Sequence, residues 1–234
     1  MAGNKEYSDK ELGKIIIREN VRARRIVMRT RPEALYVTVP CGVQMEEVQG
    51  VIDKFRVKLV LSRKKVARKR IDLDYRIDSE FFKLSLISGR QSKFLAHSES
   101  GKTEIICPPT ANFDDEELQS WLRKVIGEAL RRNAKYILPA RLEKLSEHYN
   151  LPYESLKINS SQGRWGSCSV RKSINLSYYL LLLPSHLMDY VMLHELAHTV
   201  ELNHSEKFWA ILDKMTWGQS LELREALREY TTDF

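Results

Sequence analysis

The chain has 234 residues, 43% apolar and 29% charged, enough for one large domain or two small ones around a buried core. That composition excludes disorder, collagen and coiled coil, and no run approaches the 18 apolar residues of a membrane span, the longest tight one being Leu180–Leu183 before Pro184. Formal net charge is +7 but uneven: up to Thr110 there are 23 Lys and Arg against 14 Asp and Glu, and beyond it 15 against 17. The basic half predicts a polyanionic partner such as nucleic acid or a nucleotide. The polar start Met1–Tyr7 lacks the apolar core of a signal peptide. Cys41, Cys107 and Cys168 are too few and too scattered for a disulfide framework, so a cytoplasmic protein away from the membrane is expected.

No internal repeat is visible, so elements are read from period and punctuation. Ile15–Ile17 reads as a strand, and the alternation at Ile26–Thr30 and Leu35–Val39 about the turn Arg31-Pro32-Glu33-Ala34 reads as a hairpin. Val48, Val51, Ile52, Phe55 and Leu59 recur every three or four residues, predicting one helix over 44–63 that runs into the basic stretch Arg63–Arg70. Strands follow near 81–87, 93–97 and 103–107. Pro108-Pro109 closes this mainly β half, giving a predicted division into residues 1–110 and 111–234.

In the second half, Asp114 with Glu117 resembles a capping box for a helix that Pro139 should break or kink before Leu142–Tyr149. Strands at 156–159 and 173–180 precede a helix from about Ser185 to Leu202, then two short helices near Ser205 and Gly218. The fold class is α+β: a mainly β N-terminal module followed by a domain containing the helix 185–202.

Residues 194–198 read His-Glu-Leu-Ala-His, with His204 six positions on. Histidines at i and i+4 leave one helical face together and can share a metal ion, while the glutamate beside the first reaches a water on it. A catalytic zinc takes three protein ligands, so a third is needed: His204 is the first candidate and Glu201 the second. The His spacings equal those of metzincins, but Glu201 stands where their turning glycine would be, and Asn203 is the candidate for a left-handed turn instead. His97, His148 and His186 lack a partner at metal spacing. Imidazole ligands favour Zn2+, with nickel or another divalent transition metal an alternative.

The segments Arg164-Trp-Gly-Ser-Cys-Ser169, Ile174-Asn-Leu-Ser177, Pro184, Asp189-Tyr-Val191, His194–His198, Asn203-His-Ser205 and Phe208-Trp209 together resemble the YgjP-like metallopeptidase-type hydrolases. The likeness extends to the Arg-rich hairpin ending Val39-Pro-Cys-Gly42. It implies a zincin-like catalytic domain with His194, His198 and His204 as ligands and Glu195 as catalytic base. In such a layout Arg164 can hold an anionic group, and Asn175, Tyr178 and Tyr179 are candidate oxyanion donors. Trp165 and Cys168 read as packing residues.

These features predict a zinc-dependent, metallopeptidase-like hydrolase acting on a peptide. A nucleoside triphosphate pyrophosphohydrolase on the same metal site is the alternative, since the basic half can hold phosphates. A nucleic-acid-binding protein with a structural metal is the reading from another class. It is supported by Arg18, Arg22, Arg24, Arg25, Arg29, Arg31 and the run 63–70, and weakened by the absence of a cysteine pair near His194.

Overall fold

The computed structural model describes residues 5–31, 33–66, 69–99 and 101–232. Pro32 and Ser100 of two predicted turns, Arg68, and the side chains of Lys64 and Lys65 in the basic run lie outside them. The described residues form three sheets and six α-helices in two compact units that divide between Lys69 and Arg70. The units do not part at Thr110. Residues 70–110 go with the second because Ile71, Phe82, Leu84, Leu86 and Ile105 bury in one apolar cluster with Leu122, Leu176 and Leu196. Pro108-Pro109 ends a strand without ending a unit.

The first unit contains β1 (Lys5–Asp9), β2 (Gly13–Glu19), β3 (Val27–Thr30) and β4 (Leu35–Val39) in the order β1-β2-β4-β3. β2 and β4 are parallel, and both outer pairings are antiparallel. The expected β3–β4 hairpin is present. The polar lead, to which the sequence assigns no element, contains β1: pairing sets Tyr7 opposite Ile15, against the apolar cluster. The predicted helix 44–63 is two helices, α1 (Met45–Lys54) and α2 (Arg56–Val66), parted at Phe55, where φ is −106°. Val48, Ile52 and Leu59 from these helices meet Ile15, Ile17, Leu35, Val37 and Val39, and each fully buried side chain contributes roughly 1.5–3 kcal/mol. Arg56 ties the β1–β2 turn to α1 through Asp9 (3.0 Å), Glu11 (3.1 Å) and Asp53 (2.7 Å). Its hydrogen bonds, with those from the Leu12 and Glu11 N–H groups, hold the Asp9 carboxyl down at about 2.

The second unit opens with β5 (Arg76–Asp78), β6 (Lys83–Ser88), β7 (Leu95–Glu99) and β8 (Lys102–Cys107) in the order β5-β6-β8-β7. This is the first sheet's topology again, with the same polarities and register. The pairs Ile15–Leu35 and Ile17–Val37 correspond to Leu84–Thr103 and Leu86–Ile105. Each sheet then runs through proline into a helix with Glu-Glu in its first turn, Glu46-Glu47 in the first and Glu116-Glu117 in the second. The repeat escapes the sequence because little more than the inward alternation is shared.

That second helix, α3 (Glu116–Tyr149), is one 34-residue rod of about 50 Å. It runs unbroken through Pro139, contrary to expectation. Leu138 and Leu142 on either side are fully buried, and such burial outweighs the roughly 3 kcal/mol that an interior proline costs. Asp115, not Asp114, caps it by accepting from the Glu117 N–H (2.9 Å). β9 (Ser155–Asn159), β10 (Gly166–Cys168) and β11 (Ser173–Ser177) form a third sheet, ordered β10-β11-β9. The predicted strand 173–180 stops at Ser177, and residues 178–182 make a 3-10 turn. α4 (Ser185–Ala197), α5 (Glu206–Met215) and α6 (Ser220–Leu227) complete the unit. A two-pronged ion pair between Arg141 and Asp189 braces α3 against α4. No helix among the described residues is long and apolar enough to cross a membrane.

Candidate metal centre

α4 is buried almost all round, with Leu187, Met188, Val191, Met192, Leu193 and Leu196 all in the core. It ends at Ala197 with His198 as its C-cap, not at Leu202. The chain leaves through bonds from Thr199 N–H to Leu196 C=O (3.0 Å) and from Val200 N–H to Ala197 C=O (3.1 Å). Asn203 is not left-handed: Asn150, Lys172 and Trp217 are the described non-glycine residues with positive φ. The turn alone returns His204 to the helix. His194 Nε2 then lies 3.2 Å from His198 Nε2 and 3.1 Å from His204 Nε2. Nitrogens around a tetrahedral zinc at about 2.05 Å stand about 3.3 Å apart.

The surroundings hold these rings ready. A carbonyl only accepts, so the 3.0 Å contact of His198 Nδ1 with the Glu201 carbonyl places the proton on Nδ1 and leaves the Nε2 lone pair free. Glu201 thus acts through its backbone, while its carboxylate accepts from Asn203 N–H (3.4 Å). Phe208, fully buried, floors the site: its ring stacks on His198 (centroids 4.5 Å apart) and meets His194 and His204 edgewise at 4.9 and 4.8 Å. Ser205 caps α5 by accepting from Phe208 N–H, which fixes that floor. Burial, then the neighbouring His198 and His204, push His194 down to about 3, and burial also lowers His204. His194 and His204 are therefore held neutral at pH 7.

Glu195 is 5% exposed, and its Oε2 has no hydrogen-bond partner among the described residues. Burial raises its pKa to about 8, with Arg164 pulling the other way. Its carboxylate fills the space where a side chain at Gly166 would begin: a Cβ there would stand 2.6 Å from Glu195 Oε1. Gly166 starts β10, paired with Leu176, so Gly166-Ser-Cys168 is a strand shaped around Glu195. Three converging imidazoles beside a buried, unpartnered carboxylate oxygen fit a divalent transition-metal ion with its water.

Other predicted residues are placed differently. Arg164 is exposed and near enough to Glu195 to act on its charge. Asn175 donates to Ser167 across β10–β11 (3.5 Å). Tyr178 is not brought to the centre: it is buried, its hydroxyl lies where a side chain on Gly127 of α3 would go, and its pKa is driven well above the usual range. Tyr179 accepts from Gln162 Nε2 (3.1 Å). Burial raises Cys168 to about 11, against a nucleophilic role, and Trp165 packs on the core. His97 is exposed beside Glu99 (3.9 Å), and neither His148 nor His186 joins the cluster.

Three residues were given no role from the sequence, although Gly166 and Phe208 stand in the segments that carry the family resemblance. Phe208 looks like any apolar helix position, and Gly166 like a turn. Arg224 lies 20 residues past His204 on α6, with its guanidinium 5.4 Å from the Trp209 ring centroid and close enough to disfavour protonation of His194 and His204.

The family described as YgjP-like, metallopeptidase domain, matches residues 24–230. The chain belongs to that family. Membership places this YgjP-like protein, at a coarse level, among metal-dependent hydrolases of the metallopeptidase type. Among solved structures, the metallopeptidase zymogen abylysin of Pyrococcus abyssi is similar at 22% identity and a TM-score of 0.36, over 40% of this chain and 94% of its own. No curated protein matches the chain.

Proposed function

We propose that this YgjP-like protein is a zinc-dependent hydrolase of peptide bonds with a zincin-like site. His194, His198 and His204 hold the ion and Glu195 is the general base. The observation that carries this reading is the convergence of three Nε2 atoms, at 3.1 and 3.2 Å from His194, beside a buried carboxylate with an unpartnered oxygen. Zinc held there supplies Lewis acidity to a water and to the scissile carbonyl. The Glu195 carboxylate takes the proton of the attacking water and delivers it to the leaving nitrogen. Positive charge beside the carboxyl favours its ionised form against the burial that raises its pKa. β10 is the outermost strand of its sheet, so an extended peptide can pair along its free edge beside α4.

A phosphoanhydride substrate is the second reading, favoured by Arg164 and Arg224 acting on Glu195 and on the histidines. A structural metal has less support: structural zinc closes with four ligands, and among the described residues the cluster holds three. Zinc-loaded protein should cleave an unfolded protein and leave nucleoside triphosphates intact. Glu195→Gln should keep about one zinc per chain while hydrolysis falls at least a hundredfold, roughly. Full activity in that variant would remove the base assignment.

A further inference from the structure

Arg18, Arg22, Arg24, Arg25, Arg29 and Arg31 of the first unit are all exposed, and none forms an ion pair among the described residues. The basic run that dominates the sequence is different. Arg56 is shared among three carboxylates, Arg63 donates to the Arg31 carbonyl, and Arg70 pairs with Asp114 at 2.8 Å. Among the described arginines of the first unit, those without an ion pair are therefore concentrated between residues 18 and 31.

Strand alternation puts Arg18 and Arg29 on one surface. Ile15, Ile17, Leu35 and Val37 face α1 and α2, so the opposite face carries Glu6, Ile16, Tyr36 and Arg29 abreast, with Arg18, Thr38 and Val27 in the next row. The guanidinium carbons of Arg18 and Arg31 lie 4.9 and 5.6 Å from the Tyr36 ring centroid. A guanidinium stacked on a ring keeps its N–H edge free for phosphate, while ring and guanidinium planes offer surface for a base. The repeated sheet supplies an internal reference. At the positions of Arg18, Arg29 and Tyr36 it carries Ile87, His97 and Glu104, so the topology demands neither arginine nor tyrosine there.

We propose that this open sheet face is a binding site for single-stranded nucleic acid. Arg18, Arg29 and Arg31 engage phosphates and Tyr36 stacks on a base, with the β2–β3 loop arginines extending the track. An acidic polymer matches the charge but has no use for the aromatic ring, and that difference decides the test.

Anisotropy of a labelled oligothymidylate is titrated with the full chain at several salt concentrations, with heparin and phosphatidylserine vesicles as the other probes. Three phosphate contacts give a log affinity against log salt slope of about −2. Arg18→Glu with Arg29→Glu should lower affinity at least about tenfold and flatten that slope, whereas Lys58→Glu should leave both nearly unchanged. Tyr36→Leu should cost about tenfold for the oligonucleotide and nothing for heparin, with Tyr36→Phe retaining affinity. Arg18→Gln with Arg29→Gln repeats the comparison without charge reversal should the first pair disturb the sheet. Unchanged affinity in the arginine variants, equal losses toward heparin and oligonucleotide in Tyr36→Leu, or binding to vesicles alone would each overturn the proposal.

Discussion

Gly166→Ala tests whether the strand beside the metal centre sets the position of the base. The added Cβ would lie 2.6 Å from Glu195 Oε1, 2.8 Å from its Cγ and 2.9 Å from its Cδ. Ordinary contact begins near 3.4 Å, so the carboxylate must move by roughly 0.8 Å, or β10 must draw back from α4 by as much. Glu195 is 5% exposed on a helix enclosed by the core, so neither movement is free, and overpacking of this kind costs about 1–3 kcal/mol of stability. A displacement near 1 Å at a reacting group lowers turnover about a hundredfold, equivalent to about 2.7 kcal/mol in the barrier. The three imidazoles are untouched, so zinc content should stay at wild-type level. Hydrolysis of an unfolded protein, metal content and thermal melting, measured together, separate these effects. Glu195→Asp shortens the side chain by one methylene, and in that background Gly166→Ala should lose much less stability than in the wild type. Wild-type turnover in Gly166→Ala with normal melting and metal content would refute the idea that the glycine serves the base.

His204→Ala should weaken zinc binding more than about a hundredfold, whereas Glu201→Ala, which keeps the carbonyl that orients His198, should bind near wild type; a chelator competition titration measures both. Acid stability should respond to Asp9. Its folded pKa, about 2, lies below the ordinary value of 3.8, so its contribution is complete above pH 4 and is lost as pH falls toward 2. Asp9→Asn should accordingly lower the melting temperature at pH 7 and flatten its fall between pH 4 and 2, and an unchanged acid limb would refute this.

Legibility followed how local each interaction is. His194, Glu195, His198 and His204 could be read because their relation is set by one helix and one turn. β3 and β4, whose apolar residues alternate, and β2, with its run of three isoleucines, were readable for the same reason. β1 was not, because only Tyr7 of its side chains packs on the core, and its place depends on pairing with β2. β10 is three residues long and is defined by a carboxylate arriving from 29 positions downstream. Pro139 misled because local propensity predicts a break, whereas burial of Leu138 and Leu142 decides the outcome. Tyr178 follows the strand alternation in sequence but falls in a 3-10 turn, which directs it to α3. The division at Thr110 failed because proline marks the end of a strand, not the limit of an apolar cluster.

The three imidazoles, the carbonyl that orients one of them and the ring beneath them all come from residues 194–208. Closing so short a loop costs little chain entropy, so this stretch can gather around an ion early, before distant parts of the chain have docked. Glu195 acquires its final setting only when β10 comes to rest against it with a glycine in the right place. On the proposed reading, holding the ion and placing the base therefore depend on different parts of the chain.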